Sequence, residues 1–94
     1  MNIAKMFKKH DADFLKFERI QEPAHRRPDL CAFLMLADAV EGKGDIIAAA
    51  EHDQISLDVD IEKFSAIATD DLIRDLVRCG VQYEADIDML CMCV

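Results

Sequence analysis

Residues 81–94 read VQYEADIDMLCMCV. Two largely apolar runs, VQYE and MLCMCV, flank the turn-rich stretch ADID. That arrangement predicts a β-hairpin. A two-stranded hairpin alone is marginal in water, so a further strand is expected beside it. Residues 54–59 supply one: Ile55, Leu57, Val59 and Ile61 alternate with Gln54, Ser56, Asp58 and Asp60. A repeat of two is the mark of a strand with one buried face. In the last run, Leu90, Met92 and Val94 alternate with Cys91 and Cys93, so both faces are apolar. Such a strand belongs in the middle of a sheet, or one of its faces meets a partner. The expected fold is α+β in a single domain, 1–94. It has a small, mainly antiparallel sheet of about three strands, including the C-terminal hairpin, with several short helices packed on one face.

The helices follow from other periods. Ile3, Met6 and Phe7 are spaced i, i+3, i+4, with Lys5, Lys8 and Lys9 off that stripe. This predicts a short amphipathic helix. Asp11 suits a cap for a further helical stretch in which Phe14, Phe17 and Ile20 recur. FLKFERI would also serve as a strand, and helix is the preferred reading. QEPAHRRP is a connector, because each proline disfavours helix at the residue before it. Pro28 suits the first turn of the next helix, and Asp29 its positive end. That helix runs through Leu30, Phe33, Leu34, Ala37 and Val40. It is apolar nearly all round, which predicts the central core helix. The GKG at 42–44 is expected to end it, and Asp45 to cap a short helix over IIAAAE. Asp60 caps a predicted helix through Phe64 and Ile67. Thr69 caps another carrying Leu72, Ile73, Leu76 and Val77, which Gly80 ends. Within it, Asp70 and Arg74 stand at i, i+4, the better orientation for an ion pair.

The 94 residues carry a net charge of −8, and the excess is uneven. Residues 1–47 hold eight basic and eight acidic side chains; residues 48–94 hold three basic (Lys63, Arg74, Arg78) and eleven acidic. An acidic surface repels phosphate, so direct nucleic-acid binding is not expected. It favours a basic protein partner or self-association, or serves solubility alone. The longest apolar run, LCAFLMLA, is too short to span a bilayer, so no membrane association by a spanning segment is expected. MNIAKMFKKH is positive but has no apolar core or cleavage site, so no signal peptide is expected. A cytoplasmic protein with reduced cysteines is the expectation.

EHDQISLDVDIE, residues 51–62, is the densest set of candidate ligands. A hydrophobic strand ending in D-x-D resembles the start of the magnesium-dependent phosphotransfer site of the haloacid dehalogenase-like family. The resemblance implies a nucleophile at Asp58 and an acid/base at Asp60. It covers only a few residues, and Glu62 stands where that family has Thr or Val. The chain also has little room for the large doubly wound sheet such a site needs. An EF-hand loop starting at Asp58 would have Lys63 at the glycine position and Thr69 at the final glutamate position. Strand alternation and helix capping explain Asp58 and Asp60 without any ligand. His52 lies between Glu51 and Asp53, which favours its charged form, and suits a helix end.

Cys79, Cys91 and Cys93, with a histidine, would make a zinc set, but the spacing does not match a zinc knuckle. Cysteine also packs as a small hydrophobe. The clusters Lys5/Lys8/Lys9 and His25/Arg26/Arg27 lack interleaved aromatics, so they read as solvated charge. The Met- and Phe-bearing first helix would dock on the acidic half of its own chain, on a second copy, or weakly on anionic lipid.

The function expected is a non-catalytic interaction or regulatory module with no cofactor. Asp58, Glu84, Asp86 and Asp88 would form its acidic binding face. Two alternatives stand beside it. One is a metal-binding protein or metal-dependent enzyme using Asp58, Asp60 and His52 or the cysteines. The other is an acidic nucleic-acid mimic that occupies a DNA-binding protein.

Overall fold

Strand pairing organises the chain. The computed structural model describes residues 2–40, 42, 44–51 and 54–93. Helix α1 spans Ile3–Lys9, and single 3₁₀ turns follow at Asp11–Asp13 and Phe17–Arg19. Helix α2 spans Pro28–Ala39, strand β1 Ile47–Glu51 and strand β2 Gln54–Leu57. Helices α3 (Ile61–Ile67) and α4 (Asp70–Arg78) lead to the hairpin of β3 (Val81–Glu84) and β4 (Met89–Cys93). The sheet has four strands in the order β1-β2-β4-β3. All three pairings are antiparallel.

Register explains the two faces. Leu57 stands opposite Leu90, and Ile55 opposite Met92. Val81 pairs with Met92 and Tyr83 with Leu90. These residues share one face, and most belong to a single core with Phe64, Ile73, Leu76 and Val77 from α3 and α4. Gln54, Ser56, Gln82 and Glu84 occupy the other face and stay exposed or half-exposed. The helices therefore cover one side of an antiparallel sheet, the α+β arrangement that the alternation predicts. As its two apolar faces require, β4 is an interior strand.

Local chemistry sets the helix ends. Asn2, Asp60 and Thr69 accept the N–H groups of Lys5, Lys63 and Leu72. Each relieves a donor that a helix start leaves unpaired. Gly80 follows α4 with φ +98°, a conformation costly for other residues.

Four expectations need correction. IIAAAE does not form a helix: Ile47–Glu51 is β1, paired with β2 through a register shift between Ile47 and Ala49. The helical preference of alanine yields to an available ladder. The sheet accordingly has four strands, one more than expected. Phe14, Phe17 and Ile20 do not ride an α-helix. Their spacing of three is the 3₁₀ period, and two short turns carry this segment. Helix α2 is not the central helix, for Leu30 and Leu34 remain 39% and 45% exposed. It buries Cys31, Ala32 and Leu36, and it ends at Ala39 with Val40 in an extended conformation, before the glycines. Helix α4 takes the central place, touching α1, α2, β3 and both 3₁₀ turns. Among the described residues, no helix is long and apolar enough to cross a membrane.

Candidate interaction surface

Antiparallel pairing brings distant acids to one end of the sheet. Strands β2 and β3 finish there, and β1 and β4 begin there, since Leu57 pairs with Ile47 and Leu90, and Glu84 with Met89. Asp58 follows the last residue of β2 and is exposed. Its N–H donates to the Ile46 carbonyl at 2.6 Å, which fixes the chain just beyond the strand. Glu84 closes β3, half-buried, and Asp86 and Asp88 lie exposed in the following turn. Asp88 adopts φ 51° and accepts the Tyr83 hydroxyl at 2.5 Å. That hydrogen bond, with some burial and the nearby negative charge, raises the Tyr83 pKa above its ordinary 10.0.

The four predicted residues thus share one end of the molecule, and one more joins them. A cavity of about 180 Å³ lies between the end of α2 and the sheet, lined by Ala37, Val40, Ile46 and Val59 and by Asp45 and Asp58. Sequence reasoning assigned Asp45 to the cap of a helix that does not exist. Had IIAAAE been read as a strand, Asp45 would have fallen at this end. Asp60, two residues after Asp58, does act as a cap, with its carboxylate 3.1 Å from the Lys63 nitrogen.

The acids of α4 are arranged differently. Asp70 meets Lys9 Nζ at 3.0 Å and His10 Nε2 at 2.9 Å. The His10 and Lys9 hydrogen bonds hold the Asp70 carboxyl below its ordinary 3.8. Arg74 meets Asp71 and Asp75 at 3.1 and 3.3 Å. It does not pair with Asp70 as its spacing predicts, because α1 supplies Asp70 with other partners. Arg78, 15% exposed, bridges Asp75 and Asp13 at 3.2 Å, and Arg19 reaches the same Asp13. For Asp13, burial favours the neutral form, but hydrogen bonds from Arg78 and then Arg19 outweigh it and lower the pKa. Helix α1 therefore docks on the acidic half of its own chain, one of the three destinations open to it. None of Asp45, Asp58, Glu84, Asp86 and Asp88 has an ion-pair partner among the described residues.

Cys79 and Cys91 lie on opposite sides of the sheet. Cys79 sits in the core, where burial first, then the adjacent Cys31, pushes its thiol pKa well above the ordinary value. Cys91 pairs in register with Gln82 and Ser56, on the side of β4 away from that core. Cys93 closes β4 opposite Gln54. His52 lies outside the described residues. Among the described residues, no three His, Cys, Asp or Glu side chains are grouped to hold a metal ion. Comparison with known proteins finds no matching family model, no similar curated protein and no similar solved structure.

Proposed function

We propose that this chain is a non-catalytic interaction module whose acidic sheet end receives a basic segment of a partner protein. The observation that carries this reading is the placement of Asp45, Asp58, Glu84 and Asp86 at one end of the sheet without ion-pair partners among the described residues, while the acids of α4 are paired internally. Unneutralised charge at one pole attracts and orients a partner of opposite sign. The apolar walls of the cavity beside Asp45 and Asp58 suit the methylene stem of a lysine or arginine. A second copy is the alternative occupant of this chain's surface, favoured by the exposed Leu30 and Leu34 on α2.

Titration calorimetry with an oligolysine peptide at low and high salt tests the reading. Binding at low salt should weaken as salt rises, since exposed pairs are screened beyond about 10 Å at 0.1 M. Asp58→Asn with Asp86→Asn should weaken it further. Equal binding by the double variant would refute the assignment. Light scattering of the free protein separates the second-copy alternative, which requires a dimer.

A further inference from the structure

Helix α2 buries Cys31, Ala32 and Leu36 on one side and carries an apolar stripe on the other. Leu30, Leu34 and Ala37 are exposed, and half-buried Phe33 borders them. Their spacing of i, i+4, i+7 puts them on one helical face. The two leucines are 39% and 45% exposed side by side, which makes a patch rather than scattered apolar residues. The 12 residues of α2 extend about 18 Å, against molecular dimensions of 28 × 27 × 25 Å. The stripe therefore runs along much of one side of the molecule.

The ends of this helix carry charges of the sign that its dipole disfavours. A helix N-terminus favours anions and a C-terminus cations. Arg26 and Arg27 precede the first turn and are exposed. The His25 ring accepts the Arg27 N–H at 3.1 Å, which fixes the chain there. Asp29 offsets only one of the two arginines, and its carboxylate receives the Leu30 N–H at 2.8 Å. Asp38 lies exposed in the last turn, which holds no basic residue. Arg27 and Asp38 are separated by about three turns, so both lie on the side of Leu34. None of Arg26, Arg27 and Asp38 has an ion-pair partner among the described residues.

Stripe and charges together are self-complementary. Two copies of α2 laid antiparallel set Leu30 of each against Leu34 of the other. The same register brings the Arg26–Arg27 end of each beside Asp38 of the other. Each helix end then meets charge of the sign its dipole favours, and the apolar stripe leaves water. A parallel arrangement would set arginine against arginine and Asp38 against Asp38.

We infer that α2 is the contact of a symmetric homodimer, in which two copies pair antiparallel through Leu30, Leu34 and Ala37, with Arg26 and Arg27 of each against Asp38 of the other. The inference goes beyond the acidic-end reading and uses none of Glu84, Asp86 and Asp88. It gives the second copy a face and an orientation. A single helix pair is small for an interface, under about 1,200 Å² in total, so the dimer dissociates on dilution.

Sedimentation velocity from about 1 μM to about 1 mM, the span in which weak complexes assemble, tests it. The unaltered chain should pass from monomer to dimer. Leu34→Glu, at an exposed position, should weaken the dimer more than about tenfold by burying an unpaired charge. Its melting temperature at the dilute end should match that of the unaltered chain. Arg26→Glu with Arg27→Glu, and separately Asp38→Lys, should each weaken the dimer about tenfold, because like charges then meet at both ends. Mixed in equal amounts, these two variants should pair as tightly as the unaltered chain, since each end regains an opposite pair. A monomer throughout would overturn the inference. So would a dimer that tolerates Leu34→Glu, or a mixture no tighter than its components. Calorimetry with oligolysine keeps the two readings apart, and Leu34→Glu should still bind it. An unaltered chain that binds oligolysine but stays monomeric overturns this inference alone. A dimer that ignores oligolysine overturns the acidic-end reading alone.

Discussion

On α4, Asp70, Asp71 and Asp75 each meet a cation, and three of those cations come from outside the helix or from its own last turns. At the sheet end, Asp45, Asp58, Glu84 and Asp86 meet none among the described residues. Both regions come from the half of the sequence that holds the negative excess; Asp45 alone lies just before it. The contrast teaches that net charge does not locate a binding surface. Packing decides which acids are neutralised, and the remainder forms the outward field. Helix α4 uses Asp70 to hold α1 and Arg78 to hold the 3₁₀ turns in place. The sheet end leaves its acids to solvent.

Several substitutions would sharpen this division. The largest effect is expected in the core under α4. Leu76→Ala should lower stability by about 2–5 kcal/mol, measured by urea unfolding, because Leu76 is fully buried. Gly80→Ala should cost about 1–3 kcal/mol. It would place a side chain at φ +98° with its Cβ 2.9 Å from a Leu15 methyl group. Thr69→Ala removes the α4 cap and should cost about 1 kcal/mol. Glu84→Gln with Asp86→Asn should change stability by less than about 0.5 kcal/mol, as for surface sites without partners. A large loss there would break the comparison, since it would make the sheet-end acids structural.

Acid titration probes the same division. Asp13 and Asp70 titrate lower in the folded chain than their ordinary 3.8. Their stabilising contribution is therefore fully present above that value. It is lost as pH falls through their lower folded values. Asp13→Asn with Asp70→Asn should flatten this acid limb in a series of melting curves. Retention of the full acid limb in that variant would contradict the paired role of both residues.

The hairpin was legible because its signals are local. ADID separates two apolar runs, and the strands begin and end beside it. Caps were legible for the same reason, at Asp60 and Thr69. Strand β1 was not: Ala48, Ala49 and Ala50 favour helix locally, and only the ladder to β2 overrules them. The face buried by α2 was hidden by its uniformity, since an apolar run without polar punctuation points nowhere. The acidic end could be named from Asp58, Glu84, Asp86 and Asp88, but the absence of partners there could not. That property depends on where Lys9, His10 and Arg78 go, and long-range packing sends them to α4 and its surroundings.

Amide chemical-shift mapping with an oligolysine peptide at low salt tests the central claim most directly. The account predicts perturbations at Asp45, Asp58, Glu84, Asp86 and Asp88 and a quiet α4. Perturbations centred on Asp70, Asp71 and Asp75, with a silent sheet end, would contradict it.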